Sequence, residues 1–97
     1  MVIYEVNLEI DPGVKAQYLS WLSGHIEQIL EVEGFFKAEL FQVEEQSDWS
    51  KYCVQYQIRD RDSLEVYFKE HAPGFREDGL RRFPGQFKAT RRVLLRC

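Results

Sequence analysis

Cysteine and histidine are scarce in this 97-residue chain, with two of each. Cys53 lies inside a strand-like run and Cys97 is the last residue, so the pair makes no disulfide scaffold. With only His25 and His71 available, no zinc-ligand spacing can be assembled. No metal and no other cofactor is therefore expected. Long apolar runs are missing too. The longest, Met1-Val2-Ile3-Tyr4, is far short of the roughly 20 residues that span a bilayer. No basic leader followed by an apolar segment opens the sequence, so a cytoplasmic setting is expected and no membrane partner. Nor is there a Ser-His-Asp order, a glycine-rich phosphate loop or a metal-ligand spacing.

What is present has globular composition: 44% hydrophobic and 14% aromatic residues. That excludes disorder and low-complexity assemblies. A chain of this length is one domain, residues 1–97, and buries about two-thirds of its unfolded surface without help from cross-links. The net charge of −3 hides an asymmetry. Residues 1–75 hold six Lys/Arg against fourteen Asp/Glu, whereas residues 76–97 hold seven against two. A basic end on an acidic body can grip an anion, pair with a second copy of the acidic body, or form ordinary surface ion pairs.

Periodicity orders the elements. In residues 2–10 every even position is apolar and the odd ones are polar after Ile3, the signature of a half-buried strand. Asp11-Pro12-Gly13 then predicts a helix over 12–32, with Asp11 as N-cap, Pro12 at the first helical position and Gly34 as the stop. Val14, Tyr18, Trp21, Leu22, Ile26 and Ile29 share its apolar sector, and His25 falls among them. Strands are expected over 35–45, 51–59 and 86–96. A second helix is expected after Asp62, capped by Asp62 with Glu65, and a short third one over 75–83 after the break at Pro73-Gly74. The order β-α-β-β-α-β gives an α+β ferredoxin-like sandwich: helices on one face of a four-stranded antiparallel sheet.

Such a sheet has one covered and one uncovered face. Alternation assigns Tyr4, Val6, Leu8, Val54, Tyr56, Ala89 and Val93 to the covered face. The uncovered face receives Ile3, Glu5, Asn7, Cys53, Gln55, Gln57, Thr90, Arg92 and Leu94, with Lys37, Glu39 and Phe41 from the second strand. This mixture of apolar and hydrogen-bonding groups suits a second subunit that closes over it and leaves a lined cavity. The candidate lining is Glu5, Asn7, Gln55, Gln57 and Arg92 from the sheet, with Tyr18, Trp21 and His25 from the first helix.

The residues Val2-Ile3-Tyr4-Glu5-Val6, Trp21…His25-Ile26, Gly34-Phe35, Tyr52-Cys53-Val54-Gln55-Tyr56, Tyr67…Glu70-His71-Ala72-Pro73 and Phe83…Gly85…Phe87…Arg91 follow one another in a familiar order. Over nearly the whole chain it resembles a family of short bacterial proteins known as a domain of unknown function, within the dimeric α+β barrel superfamily. The resemblance implies a homodimer whose two sheets face each other, and no particular reaction.

The titratable groups carry competing readings. His25 is either a general base or ligand contact, or a packed imidazole bonded to a neighbour. His71, at the end of the second helix, suits the negative helix terminus. Glu5 and Arg92 would form a cross-strand ion pair if they share a face; Arg91, Arg92 and Arg96 could grip a carboxylate or phosphate. Cys53 has no cationic neighbour in sequence and reads as a spectator thiol. The function expected is a homodimer that binds a small organic ligand or serves as an assembly module. The alternative is a small cofactor-independent enzyme, monooxygenase- or isomerase-like, with His25 or a tyrosine as its proton-transfer group. An RNA-recognition module shares the element order, but its third strand should expose aromatics beside a glycine; Tyr52 and Tyr56 point to the covered face and the net charge is negative, so no nucleic-acid partner is expected.

Overall fold

The computed structural model describes residues 1–97. The chain runs β1 (Val2–Ile10), a 3-10 turn (Pro12–Val14), α1 (Lys15–Leu30), β2 (Phe35–Gln42), β3 (Ser50–Ile58), α2 (Arg61–Glu70), α3 (Ala72–Arg82) and β4 (Phe87–Leu95). The four strands form one antiparallel sheet in the order β2-β3-β1-β4, the ferredoxin-like sandwich that the periodicity implied. No helix is long and apolar enough to cross a membrane.

The β1 alternation sets the sheet's two faces. Val2, Tyr4, Leu8 and Ile10 are buried, and β1 pairs Tyr4 with Tyr56 on one side and Val93 on the other. Three helices cover that face. The bulkiest fully buried side chains are tyrosines, Tyr4, Tyr18 and Tyr56, followed by Ile10, Ile29 and Ile58. An interior built on tyrosine places hydroxyls among apolar groups and so brings polar atoms into an apolar layer.

Element ends depart from the sequence pattern for local reasons. The Asp11 carboxylate accepts from the Gly13 N–H at 2.8 Å, which winds residues 12–14 into a 3-10 turn before α1 begins. α1 closes at Leu30, and Gly34 turns the chain with φ +91°. A Cβ at Gly34 would stand 2.5 Å from the Ser63 Cβ, so both the left-handed backbone and the close approach to α2 require glycine. The N-cap of α2 is Asp60, not Asp62: its carboxylate accepts from the Ser63 N–H at 2.8 Å, leaving Asp62 in the first turn. α3 starts at Ala72, three residues before the position expected. Pro73 does not break the helix there, because the first-turn N–H that proline lacks would have had no partner. β2 stops at Gln42, and the polar stretch 44–49 joins it to β3.

Candidate functional site

Between the helix layer and the sheet lies a cavity of about 220 Å³. Of the 18 residues that line it 14 are hydrophobic, and the other four are His25, Gly79, Arg76 and Arg91. No carboxylate lines it, although the chain carries 16 Asp and Glu. The void is framed by aromatic rings. On α1 the i, i+4 spacing stacks Trp21 on His25, with centroids 4.6 Å apart and planes 16° from parallel. The Phe75 ring on α3 stands nearly perpendicular to the same imidazole, with centroids 5.1 Å apart. Tyr18 touches Phe83 and Phe87 at 5.0 and 5.1 Å. Gly79 completes the wall: a Cβ there would stand 3.1 Å from the Trp21 ring, so glycine lets α3 approach α1 at that point. The indole N–H of Trp21 donates to Asp78 at 3.2 Å and ties the two helices together.

Electrostatics in this layer follow from burial. Desolvation lowers the His25 pKa from 6.5 to about 4; Asp78 raises it and Arg91 lowers it further, and burial wins. His25 is therefore a neutral imidazole at pH 7. Burial pushes the phenols of Tyr18, Tyr56 and Tyr67 upward, while the Arg91 charge opposes the rise at all three.

The basic segment sorts into paired and free members. Arg81 and Arg82 both hold Asp78, and Arg92 holds Glu5. Lys88 stands over the Trp49 ring, 5.3 Å from its centroid. Arg76 makes one hydrogen bond, from Nη2 to the Tyr4 hydroxyl at 3.3 Å, and Arg91 makes none; neither has a carboxylate within salt-bridge distance.

The eight residues expected to line one cavity lie on two sides of the sheet. Tyr18, Trp21 and His25 are at the cavity under the helices. Glu5, Asn7, Gln55, Gln57 and Arg92 face the other way, because successive strand residues alternate and their neighbours Tyr4, Val6, Val54, Tyr56 and Arg91 take the helix side. On that outer face Glu5 is only 4% exposed. Its carboxylate accepts from Asn7 Nδ2 at 3.1 Å, Gln55 Nε2 at 3.0 Å and Arg92 Nε at 2.5 Å. These donors, Arg92 foremost, hold its pKa at about 2. The expected cross-strand ion pair is thus formed, inside a cluster of amide and guanidinium donors that converge on the Glu5 carboxylate. Gln57, opposite Ile3 and Lys37, lies outside that cluster's bonds.

The remaining candidates are structural. Cys53 is buried beside Glu5 and Arg92, and burial first, then the Glu5 charge, raise its pKa, the opposite of what a nucleophile needs. The backbone N–H of His71 closes α2 on the Tyr67 carbonyl at 2.9 Å, and its ring lies parallel to that of Tyr67. Tyr52 and Tyr56 are buried under the helices, so neither offers a stacking platform for bases.

Tyr4, Tyr56, Tyr67, Phe75, Arg76 and Arg91 belong to the cavity without having been singled out for it. One signal was available for Arg91: it interrupts the covered-face series Phe87, Ala89, Val93 with a charge. For Arg76 the linear pattern offered none, since its place depends on how α3 crosses the sheet.

The family model described as "Domain of unknown function (DUF4286)" matches residues 1–97. No curated protein matches the sequence. Among solved structures, the fold is similar to SnoaB, a cofactor-independent oxygenase from Streptomyces nogalater, with TM-score 0.73, 16% identity and coverage of 99% of this chain and 93% of that one. A protein from Arabidopsis thaliana superposes with TM-score 0.77 at 10% identity, covering 100% and 96%. A de novo designed protein does so with TM-score 0.67 at 7% identity, covering 99% and 98%. That an oxygenase and a designed chain both share the architecture shows how little the fold alone says about chemistry.

Proposed function

The chain belongs to the DUF4286 family, a domain of unknown function, and we propose that it is a homodimeric binding protein that holds a small organic molecule in the cavity between its helices and its sheet. One observation carries the reading: a largely aromatic and aliphatic void of about 220 Å³ with His25, Arg76 and Arg91 as the polar side chains of its lining. Ligand sites have this composition, and the modest volume suits a molecule smaller than a typical drug. A cavity of about 150 Å³ takes benzene, so one or two fused rings match this one.

The homodimer rests on the outer sheet face. No helix covers it, yet it presents Phe41 at 44% exposure beside Cys53, with Ile3 and Leu94 on neighbouring strands. A second copy of the same face would cover these side chains. The pairing serves assembly, and the cavity on the other side of the sheet serves binding.

A small cofactor-independent enzyme is the second reading, favoured by a neutral imidazole at the cavity wall beside buried tyrosines. The magnitude of its pKa weighs against it. A general base works best with a pKa near the operating pH, and at about 4 the His25 imidazole is a weak proton acceptor. Binding is therefore the better supported role.

Native mass spectrometry of freshly purified protein tests both parts. A dimer carrying an extra small mass per chain is the expected result, and Phe41→Lys should shift the population to monomer. A wild-type monomer at micromolar concentration would overturn the homodimer. A protein that acquires no mass from any small aromatic compound would overturn the binding role.

A further inference from the structure

Two arginines meet the cavity without a counter-ion. Five of the eight arginines of this acidic chain hold carboxylates; Arg76, Arg91 and Arg96 hold none, and of these three Arg76 and Arg91 line the cavity. They come from different elements, α3 and β4, and both line the same void. Arg76 uses one of its five N–H donors on the Tyr4 hydroxyl, and Arg91 uses none. The lining they share is rich in aromatic rings, and no Asp or Glu lines the cavity to neutralise them. The Arg91 charge also reaches the interior, where it acts on Tyr18, His25, Tyr56 and Tyr67. His25, being neutral, adds no charge of its own to this field.

We propose that the ligand class is a small aromatic anion, its ring system against Trp21 and Phe75 and its carboxylate or similar acid group held by Arg76 and Arg91. Guanidinium is the side chain suited to such a group: it stays charged, offers a planar fork of donors and tolerates an aromatic neighbour. This rests on the cavity being a binding site, as proposed above, and adds which chemistry it selects.

The probes are 2-naphthoate and its neutral isostere 2-naphthamide, which differ in charge and hardly in shape. By calorimetry, wild-type protein should bind the naphthoate at least tenfold more tightly than the amide, tenfold being about 1.4 kcal/mol. Arg76→Met with Arg91→Met should erase that preference, weakening the naphthoate at least tenfold more than the amide. Both arginines are exposed, so the double variant should fold, which circular dichroism checks. Wild-type protein supplies an independent reading: raising salt from about 0.05 to about 0.5 M should weaken the naphthoate and leave the amide unaffected. Occupancy of this cavity is read from the indole N–H resonance of Trp21, which should move on binding while that of Trp49 stays put. Equal affinities in wild-type protein, or a preference that survives the double variant, would overturn the anion selectivity and leave the cavity as a neutral binding site. No binding of either probe, or binding without movement of the Trp21 resonance, would overturn the cavity reading and this inference together.

Discussion

Replacing Glu5 by glutamine removes one charge from the outer face of the sheet at nearly constant volume. The wild-type carboxylate is almost wholly buried and accepts from Arg92, Gln55 and Asn7. Those donors bring its pKa from 4.5 down to about 2. Between these two values the folded protein binds fewer protons than the unfolded chain, so the stabilisation is complete above about pH 5 and is lost as the pH falls toward 2. The interval sets a ceiling of about 3 kcal/mol at 1.36 kcal/mol per pKa unit. The Arg92 side chain is 65% exposed, and solvent screening reduces the expected value to about 1–2 kcal/mol. Glu5→Gln should therefore lose about that much in urea unfolding at pH 7, a fall of roughly 4–16 °C in Tm for a domain of this size. At pH 3 roughly half of the difference or less should remain, because the wild-type carboxylate has by then lost much of its advantage over the unfolded chain. Both proteins must be compared at one concentration, since association would add to the apparent stability. A difference that is the same at pH 7 and pH 3, or one below about 0.3 kcal/mol at pH 7, would refute the reasoning.

Further outcomes follow from other sites. Gly34→Ala should destabilise by more than about 2 kcal/mol, because it combines a left-handed backbone with a Cβ 2.5 Å from that of Ser63; a loss below 1 kcal/mol by denaturant titration would contradict the close approach. Asp60→Ala should cost about 1 kcal/mol and Asp62→Ala less than about 0.5, and the reverse ranking would return the α2 cap to Asp62. The His25 ring resonances should stay unchanged from pH 8 to pH 5 and titrate with a midpoint near 4, whereas a midpoint at 6 or above would show that burial does not dominate there. Since that folded pKa lies below the ordinary 6.5, acidification between the two values should destabilise the protein, and His25→Phe should remove this part of the pH dependence while keeping a ring on Trp21.

The fold was legible because period two is unambiguous where one sheet face is buried. Val2–Ile10 and the Tyr52, Val54, Tyr56, Ile58 series fix the covered side without any knowledge of partners. The pairing of Glu5 with Arg92 could be anticipated for the same reason, as two odd-face groups awaiting a register. The ends of helices were less legible. Asp60 and Asp62 are both capping residues by type, and only the direction of the chain entering α2 decides between them. The cavity was least legible. A linear pattern gives the side of a sheet but not whether the space above it is filled. That depends on how the side chains of the two layers meet, as where Trp21 stacks on His25 and Gly79 lets α3 approach the Trp21 ring. Combining α1 residues with outer-face residues into a single lining overlooked the intervening sheet.

That sheet acts as a partition. Tyr4 and Glu5 are consecutive, yet one meets the void and the other the surface where a second copy is proposed to sit. Each void would be complete within a single chain, and a pair joined through its outer faces would carry two of them at opposite extremes. Loading should then reach one molecule per chain with a Hill slope of one. A variant that splits the pair should keep its ligand, and one that empties the void should keep its partner.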